Sequence, residues 1–346
     1  KSFTFAVIAR VVMGLDLGEG ETREMEHRFN IWLKSLFTLW TVDAWPFPYH
    51  AAMQARAHMS RVIRDQMART RAQLDAAAAA AAAAASGSSS GGRSVPAAPD
   101  TTLARLLAER DPDSGAALSD DQVVDNVLTL LFAGHDTTSS LLASLLHDCA
   151  VHPGVMQRLR REQAEVVARY GEEMTPEAVA AMRYAGAVVA ESQRLRPIIG
   201  GVMRATTAEQ AVAGYSVPAN MLVSYSLASM MKEDPRWPKG GSGPLDGAAF
   251  NPDRWLTPVA AGGGGSGGEG GPAAAAAPKL PAPQPVFGLG PRTCAGAALA
   301  SAEARVFLAV LARGYGYTAD TNTDFRTFPI PRPRNGLPVF MRRLRG

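Results

Sequence analysis

Phe287-Gly288-Leu289-Gly290-Pro291-Arg292-Thr293-Cys294-Ala295-Gly296 runs straight into an alanine-rich segment, Ala297 to about Ala312, that reads as a helix. A thiol just ahead of a helix N-terminus meets free backbone N–H groups and the positive end of the dipole. Both favour the thiolate and make it a ready ligand. Gly290 and Gly296 let the backbone turn tightly and approach a flat ligand, because a Cβ would obstruct both. Arg292, two residues from the sulfur, offers a guanidinium to a carboxylate. Ala295, Ala297 and Ala298 leave room for a planar group. A lone buried cysteine is ordinarily inert core, so the surrounding pattern is what singles out Cys294.

Three further segments stand upstream. Ala133-Gly134-His135-Asp136-Thr137-Thr138 lies within a long apolar helix. Ser119 caps that helix with Gln122 as capping-box partner, and it runs to about Ala150, ahead of Pro153. An acid beside a hydroxyl in an apolar helix must be satisfied somehow. The helix alone leaves open whether this marks a kink with a back-bonded threonine or a chemical task. In Glu191-Ser192-Gln193-Arg194, the acid and the arginine are i,i+3 neighbours, by default a surface pair contributing about 0.2–0.5 kcal/mol. The third segment is Phe250-Asn251-Pro252-Asp253-Arg254-Trp255.

Together the four segments resemble those of the cytochrome P-450 superfamily of haem-thiolate monooxygenases. The cysteine run fits the signature F-x-x-G-x-R-x-C-x-G at every specified position, and the others follow the family's order, with Asp253 for Glu and Trp255 for Phe in the Pro-Glu-Arg-Phe segment. The resemblance implies haem b, with Cys294 as axial ligand of the iron and Phe287, Gly290, Arg292 and Gly296 around the cofactor. Arg204 matches a position that commonly binds a haem propionate. Thr137 and Asp136 take the family's oxygen-activating and proton-relaying roles, Gly134 leaves space for oxygen over the iron, and His135 is expected to point away from the haem. Glu191 and Arg194 are expected to be buried and joined by Arg254, a folding network whose breakage costs about 3–5 kcal/mol.

The expected class is mainly α with a small β-sheet, the cytochrome P-450 fold without its N-terminal part. Helices are predicted over Glu24 to Thr41, Ala51 to Leu74 and Pro153 to Tyr170, with two more within Pro176 to Leu195. Short strands are predicted at Val202–Thr206, Tyr215–Val217, Met221–Tyr225 and Val339–Met341. The chain opens at Lys1 inside a periodic apolar run (Phe3, Val7, Ile8, Val11, Val12) and reads as a fragment, a single haem-binding domain over 1–346. Low-complexity stretches at 76–92 and 260–277 read as exposed inserts, the alanine-rich part of the first being compatible with helix.

Among the 346 residues, 47% hydrophobic content allows a large core, and a net charge of +3 from mixed charges gives no single-sign field of the kind nucleic-acid binding needs, although a pI near 9.0 leaves room for a basic face. No apolar run reaches the roughly 20 residues of a membrane span, so the chain as given reads as soluble. Two cysteines make no disulfide framework, and His147, Cys149 and His152 are spaced wrongly to converge on a metal. No phosphate loop or dinucleotide fingerprint is present, so electrons are expected from a separate reductase. Arg158, Arg160 and Arg161 are candidates for its docking face, with a solvated helix surface as the alternative. The resemblance implies insertion of one atom of O2 into an apolar small-molecule substrate. The Glu21–Met67 region with Trp45-Pro46-Phe47-Pro48 is similar to the clan of sterol, brassinosteroid and retinoid hydroxylases, which implies a sterol or other isoprenoid. The full-length protein is then expected at a membrane, endoplasmic reticulum or plastid, with no anchor in this chain. Two alternatives stay open: a haem-thiolate isomerase or dehydratase, against which Thr137 and Asp136 argue, and a non-catalytic truncated fragment.

Overall fold

A computed structural model describes residues 1–36, 41–85, 98–232, 247–256, 285–327 and 330–344. Contacts group the chain into two compact units, Lys1–Asp136 and Thr137–Gly346.

The first unit begins with α1 (Ser2–Ala6), which continues as a π-helical stretch, Val7–Val12. Gly14 ends this run at φ 71°, with Thr101 so close that a Cβ would lie 2.4 Å from its methyl carbon. The next helix, α2 (Glu19–Ser35), starts five residues earlier than its periodicity suggests. The Glu21 carboxylate accepts the Gly18 N–H at 2.9 Å and so closes the first turn. It buries Thr22, Met25, Phe29 and Leu33 along one face. The end predicted at Thr41 comes instead at Ser35, and 37–40 lie outside the described residues. Helix α3 (Pro48–Ala85) buries Ala52, Ala55, Met59, Ile63 and Met67 at helical spacing. It runs beyond Leu74 through the alanine tract to Ala85, as alanine's propensity favours. The rest of that low-complexity stretch, and all of 260–277, lie outside the described residues. Thr101 caps α4 (Thr102–Ala108) by accepting the Ala104 N–H.

Helix α5 (Asp120–Val151) is the predicted long apolar helix and carries the boundary between the units. Its capping box forms as read: Ser119 Oγ accepts the Gln122 N–H, and Gln122 Oε1 accepts the Ser119 N–H at 2.8 Å.

In the second unit, α6 (Pro153–Tyr170), α7 (Pro176–Ala181) and α8 (Arg183–Leu195) match the predicted spans. Antiparallel pairs follow: β1 (Gly201–Ala205) with β4 (Leu222–Ser226), and β2 (Gln210–Val212) with β3 (Tyr215–Val217). After α9 (Leu227–Lys232) and α10 (Ala297–Gly314), β5 (Tyr315–Ala319) pairs with β8 (Val339–Arg343) and β6 (Phe325–Arg326) with β7 (Arg332–Pro333). Strands β2, β6 and β7 escape the sequence reading because they are only two or three residues long, and β5 because it follows α10 with no intervening turn. Leu141, Leu145, Leu159, Val188 and Leu308 centre a core in which α10 packs on α6 and α8. No helix among the described residues is long and apolar enough to cross a membrane.

Candidate functional site

The cysteine run forms two tight 3-10 turns, Pro285–Phe287 and Gly290–Arg292, just ahead of α10. Gly288 (φ 78°) and Gly290 (φ 71°) take the left-handed backbone that favours glycine. The Cys294 N–H donates to the Phe287 carbonyl at 2.8 Å, which closes the loop and presents the sulfur at its rim. Gly296 differs from the expectation. At φ −91° its backbone needs no glycine, but a Cβ there would lie 3.9 Å from Cys294 Sγ, so the missing side chain keeps the space beside the sulfur open. The second glycine needed for the turn is Gly288, which the sequence reading passed over.

The two thiols are opposites. Cys149 is buried, and burial pushes its thiol far above the ordinary range, so it stays protonated core. Cys294 is exposed, as are Arg292, Ala295 and Ala298 around it. Among the described residues no three His, Cys, Asp or Glu side chains could jointly hold a metal ion. A single accessible sulfur flanked by small residues and a guanidinium suits an iron that arrives with its own planar ligand. The residues therefore fit haem. Arg204 is exposed on β1 opposite Val223, its guanidinium donating to the neighbouring Met203 carbonyl at 2.8 Å.

Glu191, Arg194 and Arg254 meet in a fully buried cluster. Arg194 reaches both Glu191 oxygens at 2.9 and 3.0 Å, and Arg254 Nε donates to Glu191 Oε1 at 2.9 Å. The Asn251 N–H adds 2.8 Å to Oε1, and the carbonyls of Gly247 and Ala249 accept further guanidinium hydrogens. Trp255 contributes what a phenylalanine could not, an indole N–H to Glu191 Oε2 at 2.9 Å. Its identity was visible in the sequence, but the bond depends on the fold.

In the first unit Asp136 is buried, with Lys1 Nζ at 3.4 Å and His135 Nδ1 at 3.5 Å. His135 is fully buried between Phe5 and Phe29, meeting both edge-on at 82°. At Gly134 a Cβ would meet Ile8 Cδ1 at 2.3 Å, so the missing side chain makes room for the π-helical stretch. The exposed small residue is Ala133, four positions before the half-buried Thr137. In the second unit His147 contacts Asp148 and His152 stacks on Phe250, so the histidines and Cys149 do not converge. Of the three arginines, Arg158 pairs with Asp253 and lies 4.2 Å over the Tyr184 ring, Arg160 donates to the Tyr315 carbonyl, and Arg161 is exposed.

A family model described as Cytochrome P450 matches residues 1–332. A cyclooctat-9-en-7-ol 5-monooxygenase of Streptomyces melanosporofaciens is 32% identical over 61% of this chain and 40% of its own length. A steroid (22S)-hydroxylase of Oryza sativa subsp. japonica is 26% identical over 99% of this chain and 60% of its own. The structure of retinoic acid bound cyanobacterial CYP120A1 superposes with a TM-score of 0.71 at 26% identity, covering 99% of this chain and 68% of that one. The chain thus spans roughly half the length of such curated relatives. With its family match, its helical architecture and an open cysteine loop ahead of α10, the chain belongs to the cytochrome P450 family.

Proposed function

We propose that the chain is the haem-holding part of a monooxygenase that inserts one atom of O2 into an apolar organic substrate and reduces the other to water. A separate reductase supplies the electrons, and residues 1–346 belong to a single haem-binding domain. The observation that carries this reading is Cys294, an accessible sulfur beside a glycine and ahead of α10, in a chain whose other thiol is sealed in core.

When bound through a cysteine thiolate, haem b supplies oxygen activation, since thiolate donation favours O–O cleavage. Phe287, Gly290, Arg292 and Gly296 form the loop that would hold it, and Arg292 and Arg204 are the guanidinium partners for its propionates. The Thr137 hydroxyl holds a proton on the oxygen side, and Asp136 passes protons toward it. Lys1 and His135 keep the Asp136 carboxylate in place. Glu191, Arg194 and Arg254 hold α8 to the segment around Trp255 and act on folding, not chemistry.

The relatives support a substrate class. Their names give cyclooctat-9-en-7-ol, a steroid and β-amyrin, and the neighbouring structure is described as retinoic acid bound. All are apolar isoprenoids, so we assign a sterol or other isoprenoid substrate, and a membrane-associated full-length protein in the endoplasmic reticulum or plastid. The test is the carbon monoxide difference spectrum of reduced, haem-loaded protein, wild type beside Cys294→Ala. The strongly red-shifted band is expected in wild type and lost in the variant. A wild-type protein that binds haem but lacks the band overturns thiolate ligation and the monooxygenase reading with it.

A further inference from the structure

We propose that a small monovalent anion of chloride size binds between α6 and the junction of α10 with β5, held by Arg160, Gln163 and Arg313. Arg160 and Gln163 stand three residues apart on α6 and so share a face. That face meets the end of α10. Arg313 Nε donates to Gln163 Oε1 at 3.0 Å, and Arg160 Nη2 donates at 3.2 Å to the carbonyl of Tyr315, the first residue of β5. Three nitrogens at this junction are left over. Arg160 Nε, Gln163 Nε2 and Arg313 Nη2 are buried and have no hydrogen-bond partner among the described residues. Gln163 as a whole is 2% exposed, so water at the surface does not reach its amide. Turning that amide over would set its N–H against the Arg313 N–H, so its free nitrogen is not a matter of orientation.

Buried donors rarely stay unpaired, because each has given up its hydration and gained nothing in return. The chemistry of the three groups decides what pairs with them. A water molecule accepts such hydrogens, but it carries two of its own into a place that presents donors. An anion accepts all three and brings none. Charge points the same way. Both guanidiniums are permanently positive, and they donate here to the Gln163 amide oxygen and to the carbonyls of Tyr315 and Glu172. The Glu172 carboxylate stands 3.7 Å from Arg313 Nη1, but its side chain is 84% exposed and water screens it. Asp148, the buried carboxylate of α5, is committed to Arg196 and Ser192. Two largely buried cations without a buried carboxylate of their own call for a negative charge between them. Three donors suit one spherical acceptor, whereas a phosphate needs more. Bound there, the anion joins α6 to the far end of the helix that starts behind Cys294, and its effect is on stability. The proposal depends neither on haem nor on the monooxygenase reading.

Bromide and chloride are the probes. Crystals of the haem-loaded protein grown in sodium bromide should show an anomalous peak within hydrogen-bond distance of Arg160 Nε, Gln163 Nε2 and Arg313 Nη2. Water alone at that point, or the three donors turned onto protein oxygens, overturns the proposal. In solution, a site with a dissociation constant of about 10 mM lowers the unfolding constant about tenfold when about 100 mM gluconate is replaced by chloride at equal ionic strength. Urea denaturation of the wild-type protein should show that shift. Gln163→Met and Arg160→Gln should each reduce it to less than about twofold. A wild-type protein indifferent to the exchange overturns the proposal even where the crystal shows bromide, since the peak is then an adventitious ion only. A full chloride effect retained in either variant overturns the placement of the anion on these side chains. Should neither variant fold, the bromide peak and the wild-type chloride shift decide the matter between them, and both are required.

Discussion

Two single residues carry physical consequences separate from the cysteine. Gly134 faces Ile8 so closely that any Cβ must displace a buried side chain. The better helix propensity of alanine offsets only about 1 kcal/mol of that crowding. Gly134→Ala should therefore lower the stability measured by urea by about 1–2 kcal/mol, and Ile8→Ala in the same chain should restore most of the loss. Additive losses in the double variant would show that the contact is not the cause. Glu303, on α10, is 9% exposed, and burial pushes its carboxyl up to about 7. A carboxyl held above its ordinary value favours the protonated fold. Its stabilising effect is complete below about pH 4.5 and is lost as pH rises through about 7. Wild type should lose more stability than Glu303→Gln as pH rises from 5 to 8, as read by urea denaturation across that range. Parallel pH curves for the two proteins would assign the loss elsewhere.

At the scale of elements, α8 is pinned on two sides. Glu191 and Arg194 bind the segment around Arg254 and Trp255, while Ser192 and Arg196 bind Asp148 of α5. Exposed ion pairs contribute little, so the contacts between α3 and α5, such as Arg64 with Asp121, matter less than this buried carboxylate. Trp255→Phe keeps the ring and removes one donor to Glu191. It should cost about 1.5–3 kcal/mol in chemical denaturation, with a carbon monoxide band unchanged in position. An unchanged denaturation midpoint would mean that the indole bond adds nothing to the cluster.

For the molecule as a whole, the sequence by itself determined the cysteine loop, the capping box of α5, the spans of α6 to α8 and the family. These rest on interactions between residues three or four apart, or on a run of ten residues whose chemistry is local. The pairing of Glu191 with Arg194 was legible as spacing, but its burial and its third member came through resemblance alone. Only the tertiary structure decided which glycine turns the chain and which admits a neighbour, that Trp255 donates to Glu191, and that Ser144 lies buried with no hydrogen-bond partner among the described residues. Each of these depends on packing between segments far apart in the chain, and a residue's own identity does not say what will be pressed against it.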